Sequence, residues 1–310
     1  MGVTTAQDPR PELRFGRYTV TVGNPAKLLF PRDGVTKLDV VEHYRRAAPP
    51  MLPHAGGRPL SLQRFPDGIG AGGFFQKQAS RHFPGWIDTV TVPKSGGTIA
   101  HVVAQRAADL VYLADQAVIA FHGALAPAAH VDRPDRLVFD LDPSVEDFQA
   151  IRDGARMLRE VLDAIGLVPF LMATGSRGLH VVAPIPGTET FDEVRPLVEG
   201  VAQALVTRAP DRFTVEHRKA KRGTRVLVDY FRNAYAQTAV CPWSLRPRAG
   251  APVAVPLPWD ELDDPDLRAD RYHIGDVAAL VEKRPDPWAG MGRHARSTAR
   301  ARRALERALG

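Results

Sequence analysis

Leu137 to Ala183 reads LVFDLDPSVEDFQAIRDGARMLREVLDAIGLVPFLMATGSRGLHVVA, and this stretch decides the fold. Leu137 to Leu141 is a short apolar run with Asp140 inside it. Side chains alternate along a strand, so Leu137, Phe139 and Leu141 share one face while Asp140 and Asp142 share the other. Ser144, with Asp147 three residues on, predicts the cap of a helix. Phe148, Ile151, Ala155, Leu158, Leu162 and Ile165 recur at steps of three and four and give that helix one apolar face. Gly166 closes it. Val168 to Ala173, the turn Gly175-Ser176-Arg177-Gly178 and Leu179 to Ala183 then read as a hairpin.

Working outward, Thr190 with Glu193 predicts a second helix to about Arg208. Phe213 to His217 and Val226 to Phe231 read as two more strands, expected to form a second hairpin. The order strand, helix, hairpin, helix, hairpin implies a mixed α/β (α+β) domain, a largely antiparallel central sheet with flanking helices. Upstream, Arg17 to Val22 reads as a strand and Thr36-Asp39 as the cap of a helix that Pro49-Pro50 should end. Lys94-Ser95-Gly96-Gly97 joins a hairpin of Thr89 to Val92 and Thr98 to Val103, and a helix follows near Ala107 to Gln116. Val277 to Glu282 and Thr298 to Leu309 read as final helices. The expected organisation is a flexible tail over residues 1–16, a catalytic domain over 17–290 and a basic helix or tail over 291–310.

The 310 residues carry a net charge of +6 and one cysteine, Cys241, which excludes an intrachain disulfide and a cysteine-cluster zinc site. No apolar run is long enough to span a membrane and no secretory signal opens the chain, so a cytoplasmic protein is expected. Five of the six net charges lie between Arg293 and Arg307. Inside the nearly neutral body, His217, Arg218, Lys219, Lys221, Arg222 and Arg225 form one basic run; it reads either as a solvated loop or as phosphate contact.

Asp140 and Asp142 on one strand face repel unless a cation lies between them. A hard divalent metal would serve, and a turn or cap role before Pro143 is the plain alternative. Asp229, within the apolar run Val226 to Phe231, would be costly unpaired. It reads either as a third metal ligand beside Asp140 or as the partner of a nearby arginine. Three acids can hold the two metals that clamp the oxygens in phosphoryl transfer. The turn Thr174 to His180 offers backbone N–H groups, Ser176, Arg177 and His180 to phosphate oxygens, though it is not a Walker A loop.

Taken in order, Asp-x-Asp, Ser-Arg-Gly-x-His and a late Asp in an apolar strand resemble the archaeo-eukaryotic primase superfamily. The closer resemblance is to the polymerase domain of bacterial ligase D and its stand-alone primase-polymerase relatives. Asn24-Pro25-x-Lys27-Leu28-Leu29-Phe30-Pro31, Thr36-Lys37, Phe74-Phe75-Gln76-Lys77, Leu137 to Pro143 and Trp243-Ser244-Leu245-Arg246 all fall in that family's order. The resemblance covers Asn24 to about Leu262 and implies a primase-like catalytic palm. It implies a DNA-directed nucleotidyltransferase that fills short gaps at breaks, can use ribonucleotides and works with two divalent ions, Mn²⁺ or Mg²⁺.

By the same carry-over, Asp140, Asp142 and Asp229 are catalytic and hold the metals. Ser176, Arg177, His180, Arg246, His122 and Arg222 bind the nucleotide. Lys27, Lys37, Phe74, Phe75, Lys77 and Arg64 bind DNA, the two lysines at the 5′-phosphate across the gap and the two phenylalanines on the template. On residue physics alone, Phe74-Phe75 reads equally as core, Lys27 and Lys37 as surface lysines, and His122 as a strand-end histidine. Three departures stand out. Gln63 replaces a family lysine, Arg232 replaces a glutamine, and the segment between His122 and Asp140 is short. Nothing resembles a ligase or phosphoesterase domain. The implied partners are gapped or broken DNA with a 5′-phosphate and nucleoside triphosphates; end joining would add Ku and a separate DNA ligase, in a bacterial, nucleoid-associated setting. De novo primer synthesis, a non-catalytic DNA-end binding module and a metal nuclease are the competing readings.

Overall fold

The computed structural model describes residues 10–309. The first elements are β1 (Glu12–Phe15), β2 (Tyr18–Thr21), β3 (Leu28–Phe30), β4 (Val35–Thr36) and the helix α1 (Lys37–Ala55). Then come β5 (Pro59–Arg64), β6 (Phe74–Gln76), β7 (Asp88–Lys94), β8 (Gly97–Val103), α2 (Ala107–Asp115) and β9 (Val118–Ala124). The central block is β10 (Arg136–Asp142), α3 (Phe148–Ala164), β11 (Phe170–Ala173), β12 (Leu179–Pro184), α4 (Phe191–Arg208), β13 (Phe213–Thr214), α5 (Lys219–Arg222) and β14 (Val226–Asp229). The chain ends with β15 (Thr238–Val240), β16 (Val255–Leu257), α6 (Val277–Lys283) and α7 (Thr298–Leu309).

Twelve of the sixteen strands form two six-stranded sheets rather than one central sheet, and β1–β2 and β3–β4 form small two-stranded ones. The first has the order β13-β14-β10-β12-β11-β16, antiparallel except for the parallel β13–β14 pair. The second has the order β15-β9-β5-β8-β7, with β6 added on β5. The alternation along β10 sorts its side chains as expected. Leu137, Phe139 and Leu141 join one core with Ile151, Ala155, Leu158 and Leu162 of α3 and Leu197, Val201 and Leu205 of α4. Val138 turns to the opposite face. There it packs with Met172 and Val182 against Leu125, Ala126, Ala239 and Val240, next to the second sheet. Asp140 and Asp142 continue that second face beyond the apolar seal.

Several local expectations change. Residues 213–217 and 226–231 do not form a hairpin; β13 and β14 run parallel because the intervening segment crosses over through α5. The α3 cap is Asp147, whose carboxylate accepts from the Ala150 N–H, while the Ser144 hydroxyl donates to the Arg225 carbonyl. Pro49-Pro50 does not end α1, which continues to Ala55. The carbonyls that the two rings leave without a donor belong to the exposed Arg45 and Arg46. Meanwhile Tyr44, Ala47, Ala48, Met51 and Ala55 stay buried in the core and hold the helix on course.

The expected flexible tail over 1–16 is contradicted from Glu12 onward. There β1 pairs with β2, and Leu13 and Phe15 pack on the core; residues 1–9 lie outside the described residues. The arginine-rich end is a docked helix, not a free arm. Ala301 and Leu305 of α7 are buried, Leu305 sits against Gly200 of α4, and Arg302 pairs with Glu189 at 2.7 Å. Most of the excess charge therefore rides on the helical layer, away from the carboxylate face. Among the described residues, no helix is long and apolar enough to cross a membrane.

His43 on α1 is buried, and its Nε2–H donates to the Trp243 carbonyl at 2.9 Å. Desolvation lowers its pKa from 6.5 to about 4, against the smaller opposing effect of that hydrogen bond. A depressed folded pKa leaves stability complete above pH 6.5. Below that the unfolded chain takes up a proton the folded chain refuses, down to about pH 4. The expected contribution is a loss of about 1.4 kcal/mol per pH unit, or about 2 kcal/mol between pH 6.5 and 5. Urea unfolding at both pH values should show the His43→Gln variant losing about that much less than wild type.

Candidate active site

Three strands bring the acidic residues together. Asp140 of β10 lies directly opposite His180 of β12 on one side and Asp229 of β14 on the other. Directly opposed residues on neighbouring strands share a face, and Asp142 joins them two residues along. The 3.6 Å approach of His180 Nε2 to Asp140 Oδ1 follows from this register. Both Asp readings from the sequence meet here. Asp229 stands beside Asp140, and it also has an arginine partner, Arg232, at 3.7 Å.

Cations surround the acids. Arg177 Nη2 donates to Asp142 at 2.9 Å and Arg222 Nη1 lies 3.4 Å from the same carboxylate. Arg232 reaches Asp140 at 3.5 Å as well as Asp229. Burial would raise the Asp140 pKa, but His180, Arg232 and Arg246 outweigh it and hold the carboxyl below its usual value. Asp229 moves the other way: burial and the neighbouring Asp140 charge raise it. The two facing carboxyls thus have their affinities for protons pushed apart by one shared environment.

The glycine turn is built as a close approach. The Thr174 N–H and hydroxyl both donate to the Gly178 carbonyl, at 3.2 and 2.8 Å. Gly175 has φ +64°, and a side chain there would meet Arg246 Cγ at 2.8 Å. A Cβ on Gly178 would lie 1.8 Å from the Leu141 carbonyl oxygen. Only glycine lets the hairpin lie this flat on β10, which places Arg177 over Asp142.

Arg246 arrives from a different part of the chain. Its segment is clamped by α1, since His43 donates to the Trp243 carbonyl and Tyr44 Oη accepts from the Leu245 N–H at 3.0 Å. Ser244 Oγ also accepts from the Phe121 N–H of β9 at 2.8 Å. Trp243 itself has φ +66°, a left-handed conformation that this clamp sustains.

The result is a cleft of about 280 Å³ between the two sheets. Asp140, Asp142, Asp229, Ser176, Arg177, His180, Arg222, Arg246 and His122 all line it. His122 comes from β9. Burial first, then Arg246, Arg232 and His180, lower its pKa to about 3, so the ring is neutral. Its Nε2 and the Arg246 Nε are buried without a protein hydrogen-bond partner, so both are free to bond a polar group in the cleft. Sequence reading missed Arg248, which lies 3.3 Å from Ser176 Oγ, and the position of His217, 3.9 Å from Asp229. The spacing of Arg248 two residues past Arg246 was the available signal.

The expected DNA-binding residues lie outside this cleft. Phe74 and Phe75 on β6 are 50% and 55% exposed, which removes the reading of them as core. Phe75 meets His122 edge-on at 5.3 Å between ring centroids, so the aromatic pair borders the cleft. Arg64 lies over the Phe74 ring at 5.8 Å, and Lys77 is exposed. Lys27 and Lys37 are brought together by a backbone bond from the Lys37 N–H to the Lys27 carbonyl, 2.7 Å. Their ammonium groups pair with Asp67 and Asp115, at 2.8 and 3.0 Å.

Comparison with known proteins agrees with this geometry. The family described as "LigD, primase-polymerase domain" matches residues 36–288. The chain belongs to this family. A solved structure of the polymerase domain from Mycobacterium tuberculosis ligase D, in complex with DNA, superposes with a TM-score of 0.83 at 33% identity. That match covers 89% of this chain and 99% of the other. The multifunctional non-homologous end joining DNA repair protein LigD of M. tuberculosis is 36% identical over 266 residues, 82% of this chain and 34% of that protein. LigD of Pseudomonas aeruginosa is 32% identical over 294 residues, 93% of this chain and 35% of that protein. The chain thus spans about a third of the length of these relatives. Members of the LigD primase-polymerase family are metal-dependent nucleotidyltransferases, and this chain is an enzyme of that polymerase class.

The close approach at Gly178 is open to a direct test. Gly178→Ala should lower Tm by about 4 °C or more, because the new methyl must push the hairpin off β10. Gly85→Ala, where a side chain meets open space, should leave Tm within about 1 °C.

Proposed function

We propose that this chain is a gap-filling DNA repair polymerase that extends a primer strand at short gaps or broken ends and can accept ribonucleotides. The observation that carries the reading is the convergence of Asp140, Asp142 and Asp229 on one face of a cleft whose other charged groups are arginines. Acids for cations and arginines for phosphates are what a metal–triphosphate complex needs.

The donor set fits Mn²⁺ or Mg²⁺, since all three ligands offer carboxylate oxygen. Among the described residues no three such groups already stand together as a metal cage. Arg177, Arg222 and Arg232 instead neutralise the acids, so a metal would take over partners the arginines now hold. Bound divalent ions would supply Lewis-acid activation of the primer hydroxyl and charge neutralisation on the leaving pyrophosphate. The chain's own part is to hold the triphosphate. Ser176, Arg177 and His180 face it from the hairpin, Arg246 from the clamped segment and Arg222 from α5. Neutral His122, with its unpartnered Nε2, offers one hydrogen bond on the opposite wall.

DNA would lie across the rim. Exposed Phe74 and Phe75 would stack on template bases without regard to sequence, with Arg64 and Lys77 beside them. Lys27 and Lys37 would take a 5′-phosphate across the gap. The exposed Lys27–Asp67 pair is weakly held and would yield to a phosphate. Nucleoside triphosphates and gapped or broken DNA are the proposed partners. A role in end joining would bring in Ku and a ligase activity, in a cytoplasmic, nucleoid-associated setting.

A one-nucleotide gapped duplex with a 5′-phosphate should be extended by wild type with Mn²⁺ or Mg²⁺. Asp140→Ala or Asp142→Ala should slow extension by about a thousandfold or more, with the Kd for the duplex changed by less than about threefold. Near-normal extension by either variant would overturn the assignment of the acids. Lys27→Ala combined with Lys37→Ala should abolish any preference for the 5′-phosphorylated gap over the unphosphorylated one in the same binding assay.

A further inference from the structure

The cleft has a second aromatic rim that the reading above leaves unused. Phe231 sits in the turn after β14 and is 44% exposed. Tyr230 stacks on it, with centroids 4.7 Å apart and planes at 26°. His217, which lines the cleft, meets the same ring edge-on at 4.2 Å. The Phe231 backbone N–H donates to Asp229 Oδ1 at 2.9 Å, so the turn that carries the ring starts at one of the three acids. Arg232, next in the turn, reaches both Asp140 and Asp229. Exposed Arg218 stands at the start of α5, and exposed Lys219 and Lys221 stand on it.

The two rims have matching construction. On the second sheet, exposed Phe75 contacts His122; in the segments that follow β13 and β14 of the first, exposed Phe231 contacts His217. Both histidines line the cleft, so an aromatic ring borders it on either side. A half-exposed ring backed by a stacked tyrosine and an edge-on histidine, with cations on the adjoining segment, has the composition of a surface that stacks bases of a single strand and tracks its phosphates.

We propose that Phe231, backed by Tyr230 and His217, is the stacking platform for the 3′-terminal base of the primer strand, with Arg218, Lys219 and Lys221 on its phosphates. The assignment to primer rather than template follows from position. The reacting 3′-hydroxyl must reach the acids, and Phe231 is bonded to one of them, whereas Phe74 and Phe75 border the cleft from the other sheet. The proposal rests on the polymerase reading, and it adds a specificity-determining residue for the 3′ end.

The test uses the full chain and a gapped duplex carrying 2-aminopurine as the primer's 3′-terminal base. Wild type should quench its fluorescence on binding. Phe231→Ala should lose the quenching and raise KM for the primer about tenfold, with kcat at saturating primer within about threefold. Phe231→Trp should restore both. Because the ring is exposed, thermal unfolding of Phe231→Ala should match wild type, which separates lost stacking from lost folding. If wild type extends primers and Phe231→Ala keeps both the quenching and KM, the platform is wrong and the polymerase reading stands. That same outcome is expected if the ring instead serves a protein partner. If wild type extends nothing with either metal, the polymerase reading fails and the platform falls with it.

Discussion

Everything at the candidate active site depends on one register. Asp140 sits opposite both His180 and Asp229, on the middle of three antiparallel strands. Two carboxylates directly across a strand pair repel, and like charges so placed destabilise a sheet. The apolar side of the same strands supplies the compensation. Leu137, Phe139 and Leu141 lock β10 onto α3 and α4, so the register cannot slip by one residue without burying the acids and exposing the leucines. The core therefore forces an arrangement that the acids alone would not adopt. Arginines complete the balance on the other face.

That balance explains why cations from such different parts of the chain meet here. Arg177 comes from a hairpin turn, Arg222 from the short α5, Arg232 from the turn after β14 and Arg246 from a segment clamped by α1. Each is held by local structure: Gly178 lets the hairpin close on Leu141, and the buried His43 and Tyr44 fix Trp243 and Leu245. On the proposed reading, a polyanionic ligand entering the cleft would find these groups pre-positioned and, in Arg246 and His122, incompletely bonded. Preorganised charge of this kind is what lets a phosphoryl-transfer site act mainly by placement and electrostatics.

The cleft itself exists because the chain builds two sheets and joins them along an apolar seam. Val138, Met172 and Val182 meet Leu125, Ala126, Ala239 and Val240 at one end, and the charged residues occupy the other. Of the aromatic rings that flank the opening, Phe75 lies on β6 of the second sheet and Phe231 in the turn that follows β14 of the first. The C-terminal arginines, by contrast, belong to a helix docked on α4 by Ala301 and Leu305. Net charge was the most visible feature of the composition, yet the local pairing of acids and arginines is what defines the cleft.

The sequence by itself determined the elements whose signals are local. Alternation placed Asp140 and Asp142 opposite the leucines, the Thr190–Glu193 box started α4, and the Gly175–Gly178 turn joined β11 to β12. The order of the motifs, through the family resemblance it carries, also named nine of the residues that line the cleft, because side-chain type and order survive without coordinates. Tertiary structure alone decided what depends on residues far apart in the chain. It set β13 parallel to β14, and it carried α1 through Pro49-Pro50 because Tyr44, Ala47 and Met51 are buried by distant partners. It made part of the expected N-terminal tail a strand, it docked the arginine-rich C-terminal helix on α4, and it left Phe74, Phe75 and Phe231 in solvent. An aromatic side chain reads as core in any sequence, since hydrophobicity is a property of the residue, while exposure is a property of everything folded around it.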